Sequence, residues 1–202
     1  MTDLEFSAFL VSRVCHDLVG PLGAVVNGLE VLEDERDAAM RADALKIVTS
    51  SAEQALARLQ FMRIAFGAAG SAGAELDLGE VGRLVHGLIS GGRTTLEWEP
   101  ANVQWPKDWA KLLMNAILIA VDCMPRGGIV RVQTRAEAPG FTITATGTGV
   151  RVSEDVERAL RGDVSDHDAR GVQPVLTFRL AKGVNAGLTI TPREGFVEIV
   201  AG

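Results

Sequence analysis

From Val11 to Leu32 the apolar residues Val11, Cys15, Leu18, Leu22, Val25, Leu29 and Leu32 follow one another at alternating steps of four and three. On an α-helix that rhythm forms one narrow stripe, the a/d seam of a coiled coil or helical bundle. A strand cannot use it, because its two faces alternate at every residue. The acidic run Glu33 to Asp37 (EDERD) reads as a turn. Leu45, Val48, Ala52, Ala55, Leu59, Met62 and Phe66 then repeat the rhythm. The chain therefore opens as an antiparallel helical hairpin. Two narrow seams bury poorly as an isolated pair, so a homodimer with a four-helix bundle is expected. Pro21 has no backbone N–H and is expected to kink the first helix one turn after His16.

The character of the chain changes after Phe66. The small-residue run Gly67 to Gly73 (GAAGSAG) reads as a connector, giving a hairpin domain over 1–69 and a second domain over 74–202. In the second domain a helix is expected from Pro106 through Leu112, Leu113 and Ile117, then a turn (MPRGG) into the alternating strand IVRVQTR. FTITAT reads as its partner strand. SEDVERALRG has the start of a capped helix, VQPVLTFRLAKGVNAG is another helix, and LTIT and GFVEIV close the chain as strands. Helices on one face of a mixed sheet account for this order, so the fold class is α+β, a hairpin followed by an α/β sandwich.

Acidic residues outnumber basic ones, 26 to 20, for a net charge of −6. That excludes a general nucleic-acid binder, which carries a basic patch or stripe. No uncharged apolar run reaches the ~18 residues of a membrane span. The N-terminus MTDLEFSAFLVSR has acids ahead of its apolar part and lacks the basic start of a secretory signal. Cys15 and Cys123 form no zinc or disulfide pattern. A cytoplasmic protein with neither nucleic-acid nor membrane partners is expected.

His16 follows the seam residue Cys15 and is therefore rotated about 100° away from the apolar stripe. Its neighbours at helical spacing are Ser12, Arg13, Gly20 and Gly23, a polar face that becomes nearly bare. Each glycine costs a helix roughly 0.8–1.0 kcal/mol relative to alanine. What the glycines provide is open space beside an exposed imidazole, enough for another protein's backbone. A lone surface histidine is by default only solvated; the glycines and the proline make this one a candidate nucleophile.

The stretch CHDLVGPLGAVVNGLEVL resembles the H-box of histidine-kinase dimerisation and phosphotransfer domains, a His-Asp/Glu-Leu-x-x-Pro-Leu pattern. His16, Asp17, Leu18, Pro21 and Leu22 stand at its positions, and the longer form with Asn27 to Glu30 is similar to the bacterial ChpT-type histidine phosphotransferases. The resemblance implies that His16 carries a phosphoryl group and that the hairpin dimerises. Residues Pro106 to Arg135 resemble the N-box region of the kinase ATP-binding fold. There Ile119 occupies the place of the magnesium-binding asparagine, and Asn115 matches only the first asparagine of the box. Ala145 replaces the adenine-binding aspartate, and the triphosphate-wrapping stretch reads GVQPVL. Phosphoryl transfer from a nucleotide needs a metal bridging its phosphates. Neither ATP binding nor any resident cofactor or metal is therefore expected, and Mg²⁺ would belong to a partner receiver domain.

The expected function is a histidine phosphotransferase that relays a phosphoryl group between receiver aspartates through His16. The partners implied are the receiver domains of a hybrid histidine kinase and of response regulators. Neutral imidazole is a competent nucleophile. Arg13 is expected to stabilise the added charge, Asp17 to orient the ring or accept its proton, and Ser12, Gly20, Gly23 and Asn27 to dock the receiver. The alternatives are a dimeric adaptor without His16 chemistry and an ATP-dependent kinase core. His86 reads as a surface histidine. His167, among Asp163, Asp166 and Asp168, lacks the ligand spacing of a calcium loop. GTG at Gly147 to Gly149 is too short for a dinucleotide fingerprint. Trp98, Trp105 and Trp109 read as packing residues, and Cys15 as a buried seam thiol.

Overall fold

The structure, a computed structural model, describes residues 1–67, 74–99, 103–135, 137–163 and 171–202. Two long helices come first, α1 (Asp3–Asp34) and α2 (Ala38–Ala65). Thr2 starts α1 with a reciprocal capping box to Glu5. The turn is tighter than expected: α1 continues to Asp34, and Asp37 caps α2 by accepting from the Ala39 and Met40 amides. Arg41 donates to the Leu32 and Glu35 carbonyls and so satisfies the end of α1. The first helix runs unbroken through Pro21.

The single seam read from the sequence resolves into two stripes. One faces α2 and includes the buried Pro21 and Gly28 and the half-buried Val14, Leu18, Val25 and Leu32. The other, with Val11, Cys15, Leu22 and Leu29, remains exposed in the single chain. Cys15 is therefore exposed, not buried as its place in the seam implied. The second helix divides the same way. Ala44, Ala55, Phe61, Met62 and Ala65 are buried, while Leu45 and Leu59 are open. α1 is also the one described helix long and apolar enough to cross a membrane by length and composition, with a window of mean hydropathy 1.4. It qualifies on that average and not on an uncharged run, since Arg13 and Asp17 lie within it.

The second domain is built on a five-stranded sheet of order β2-β4-β5-β7-β6. Its strands are β2 (Thr94–Glu99), β4 (Gly128–Thr134), β5 (Phe141–Gly147), β6 (Leu188–Arg193) and β7 (Phe196–Ala201). β2 runs parallel to β4 because α4 (Lys107–Asp122) crosses over between them; the remaining pairs are antiparallel. The strand pairing of β4 with β5 and the two closing strands follow the sequence expectation. β1 (Glu75–Asp77) and β3 (Gln104–Pro106), a separate two-stranded ribbon, do not appear in the sequence pattern because each is only 3 residues long. The helices α3 (Leu78–Ile89), α5 (Glu154–Leu160) and α6 (Val172–Gly183) join α4 over the sheet.

Val130, Val132, Phe141, Ile143, Ala145, Val197 and Ile199 alternate along the strands into the helical layer. Arg131 and Gln133 point the other way and bind Glu97 and Glu99 at 2.6 and 2.9 Å. Gly127, in the turn before β4, has φ +80°, and a Cβ there would strike the Arg93 carbonyl at 2.2 Å. Only glycine fits. The end of α2 enters this same core, since Phe61, Met62 and Ala65 pack in one cluster with Leu78, Leu112 and Ile119. Arg179 on α6 adds a contact to α1, stacking 4.3 Å over the Phe6 ring and pairing with Asp3. Most of the expected connector, 68–73, lies outside the described residues, as do His167, Asp166 and Asp168.

Candidate functional site

Helical geometry puts Ser12, His16, Gly20, Gly23 and Asn27 on one line along α1, at steps of four and three. The His16 side chain is 85% exposed. A Cβ built on Gly20 or Gly23 would meet nothing within 4 Å, so the helix surface beyond the imidazole is clear. Ser12 and Asn27 are exposed at either end of the line. Pro21 lies off this face and is buried; lacking an N–H, it leaves the Asp17 carbonyl without its helical donor.

His16 Nδ1 stands 3.2 Å from Asp17 Oδ1. A carboxylate only accepts, so this contact puts a proton on Nδ1, and in the neutral ring the lone pair is then on Nε2. The other Asp17 oxygen accepts from Arg13 Nε at 3.0 Å, one turn back along α1. Nη2 of the same guanidinium lies 3.7 Å from Asp122 Oδ2, at the last residue of α4. Arg13 is therefore held between two carboxylates and is not free beside the imidazole. Desolvation opposes its charge, but Asp122 and Asp17 outweigh that and raise the guanidinium above its ordinary value. The Asp122 carboxyl is pushed up from the ordinary aspartate range, by desolvation first, against Arg13 and with help from Asp17. Solvent still reaches 54% of its side chain, which limits that effect. The sequence reading missed Asp122. Its one local signal is an acid at the C-terminal end of a helix, where the dipole disfavours negative charge.

The nucleotide-binding positions tell a different story. Ile119 is 1% exposed and packed in the core. Ala145 is buried in β5 between Val130 and Val197. Both amide hydrogens of the buried Asn115 are used, on the Ala65 and Lys111 carbonyls at 2.9 Å each. The first of these satisfies an end carbonyl of α2, so Asn115 ties the hairpin to the second domain. GVQPVL forms the start of α6, where Gln173 donates to the Asn115 carbonyl at 2.7 Å and to Thr177. These residues do not fit a metal-bridged triphosphate. Among the described residues no three His, Cys, Asp or Glu side chains group to hold a metal ion. Exposed His86 on α3 and the edge-to-face Trp105–Trp109 pair, 6.2 Å between centroids, stand as the sequence expected.

Residues 78–195 match the family described as histidine phosphotransferase C-terminal domain. Over 204 residues the chain is 40% identical to Protein phosphotransferase ChpT of Brucella abortus (strain 2308), which spans 99% of this chain and 95% of that protein. A solved structure of a bacterial phosphotransferase is 36% identical and superposes with a TM-score of 0.89, covering 100% of this chain and 98% of that one.

Proposed function

This chain belongs to the histidine phosphotransferase family, and on that premise we propose that it relays a phosphoryl group between receiver aspartates through His16. One observation carries the reading: an 85% exposed imidazole with Nδ1 engaged by Asp17 and a cleared helix face beyond it. A receiver domain docks along Ser12, Gly20, Gly23 and Asn27 and presents its aspartyl phosphate to Nε2. The Nε2 lone pair forms the N–P bond, the acyl P–O bond breaks, and the receiver carboxylate leaves with that electron pair. Positive charge developing on the ring stays at Nδ1–H, where Asp17 accepts its hydrogen bond. Transfer to a second receiver is the same step reversed.

No nucleotide takes part in this reading, and Mg²⁺ belongs to the receiver. Support comes from the apolar packing of Ile119 and Ala145 and the spent amide of Asn115. The active form is a homodimer in the cytoplasm. Among the described residues, every exposed large apolar side chain except Ile129 lies on the hairpin. A patch of that kind marks an interaction surface, and two copies of the stripe through Val11, Leu22 and Leu29 complete a four-helix bundle.

The test supplies a phosphorylated receiver domain to the protein and to His16→Ala, with labelled ATP alone as a parallel sample. Acid-labile, base-stable label on the wild type only, and none from ATP, is the expected result. Label from ATP would overturn the nucleotide-free reading, and label on His16→Ala would overturn the assignment of His16.

A further inference from the structure

We propose that Asp122, at the end of α4 in the second domain, is a positioning residue for His16: it holds Arg13, Arg13 holds Asp17, and Asp17 holds the imidazole with Nε2 outward. The proposal deepens the phosphotransfer reading above and rests on it.

The contacts run in series from one domain to the other. Asp122 Oδ2 lies 3.7 Å from one Arg13 terminal nitrogen, Arg13 Nε lies 3.0 Å from Asp17 Oδ2, and His16 Nδ1 lies 3.2 Å from Asp17 Oδ1. A guanidinium is a rigid plane, so the hydrogen bond at Nε and the Asp122 charge beside Nη2 together favour one orientation. Arg13 and Asp17 are mostly covered, at 19% and 17% side-chain exposure, while His16 projects freely. The network is thus a covered base under an exposed ring. Because Arg13 occupies one Asp17 oxygen, only the other is left to face Nδ1.

The location of Asp122 argues the same way. It is the last residue of α4, at the negative end of the helix dipole, and Asp17 brings a second negative charge nearby. Both features disfavour a carboxylate there, and its raised carboxyl reflects the surrounding protein and Asp17. Arg13 is the partner that offsets them. An acid so placed contributes little to stability. What it does contribute is an anchor outside α1 for the group that orients Asp17.

In water a histidine side chain favours the Nε2–H tautomer, which has no lone pair at Nε2. Asp17 reverses that preference only while it is held in register with the ring. Loosening Arg13 therefore shifts the ring toward the non-nucleophilic tautomer.

The experiment uses the full-length protein with ¹⁵N-labelled histidine and reads the His16 tautomer by long-range ¹H–¹⁵N correlation, with His16→Ala for assignment. Wild type, Asp122→Asn, Asp17→Asn and the double variant are compared, each with its thermal unfolding and its rate of phosphoryl transfer from a phosphorylated receiver. Asp122→Asn is expected to move the tautomer ratio toward Nε2–H by roughly twofold to fivefold, the scale of one solvent-accessible ion pair. Transfer falls by a similar factor, with no loss of thermal stability. In the Asp17→Asn background Asp122→Asn adds nothing, a result a merely structural role would not give. An unchanged ratio in Asp122→Asn, an equal effect in both backgrounds, or a shifted ratio with an unchanged transfer rate would each overturn the proposal. If the ratio responds as expected but no receiver labels His16, the positioning network stands and the relay reading is what fails.

Discussion

Gly28 on α1 and Val48 on α2 set how closely the two hairpin helices approach: a Cβ on Gly28 would stand 2.6 Å from Val48 Cγ2. Valine in a helix has essentially one χ1 rotamer, so that methyl cannot swing aside. Gly28→Ala gains about 1 kcal/mol of helix propensity but overpacks the contact, which typically costs about 1–3 kcal/mol. The expected outcome is a net loss of up to about 2 kcal/mol by chemical denaturation. Adding Val48→Ala removes the obstructing methyl, and in that background Gly28→Ala becomes neutral or stabilising. A Gly28→Ala variant as stable as wild type would show that the helices separate at no cost.

Gly20 and Gly23 behave in the opposite way, because nothing lies within 4 Å of a Cβ at either position. Alanine at each site raises the stability of the hairpin by about 0.5–1 kcal/mol. In the proposed relay that gain comes with slower transfer, and a larger side chain such as Gly23→Leu blocks docking while leaving the fold intact. The check is thermal unfolding and label transfer on the same variants. Full transfer by Gly23→Leu would place the receiver elsewhere.

The two cysteines separate on reactivity. Cys15 is exposed on the open apolar stripe, whereas Cys123, after the end of α4, is 2% exposed with its thiol pushed up from 9.0 to about 12, first by burial and then by the Asp122 charge. A thiol-specific reagent modifies Cys15 in dilute protein and, if the proposed homodimer forms through the stripe, slows as concentration rises. Cys123 reacts only on unfolding. The pH dependence has a definite sign. The folded state keeps the Cys123 proton where the unfolded chain has lost it, so this contribution to stability is complete below the ordinary thiol range and falls as pH climbs toward about 12. Cys123→Ala removes that alkaline slope. A slope that survives the substitution would assign it to other groups.

How far the sequence reaches can be judged from particular residues. His16 and its glycine face are legible because helical spacing alone decides them, and the motif from His16 to Leu22 is contiguous. The strands with strict alternation, β4, β5 and β7, are legible for the same reason. The two-stripe division of α1 is not, because adjacent apolar stripes merge in a periodicity count and only the packing of Gly28 on Val48 separates them. Asp122 is not legible either. Its partner Arg13 is more than a hundred positions away, and no local rule links the end of α4 to α1. The role of Asn115 was half visible: the motif located the residue, but its bond to the Ala65 carbonyl depends on where α2 ends in space.

That bond leads to a prediction about the nucleotide-binding fold the second domain resembles. Restoring its metal-binding side chain with Ile119→Asn puts an amide into a site that is 1% exposed and packed with Phe61, Met62 and Leu78. Losing a buried isoleucine costs about 1.5–3 kcal/mol, and an unsatisfied buried amide about 1–3 kcal/mol more. Ile119→Asn is therefore destabilised by at least about 2.5 kcal/mol and gains no Mg²⁺-dependent ATP binding by calorimetry. Asn115→Leu also destabilises, by about 1–3 kcal/mol, because it strips the donor from the Ala65 and Lys111 carbonyls. The two variants separate a structural role of Asn115 from a nucleotide-binding one. If Asn115 only holds the end of α2, its loss lowers stability and leaves nucleotide affinity as in the wild type. If Ile119→Asn folded stably and bound ATP with Mg²⁺, the apolar packing at Ile119 would not be what excludes the nucleotide.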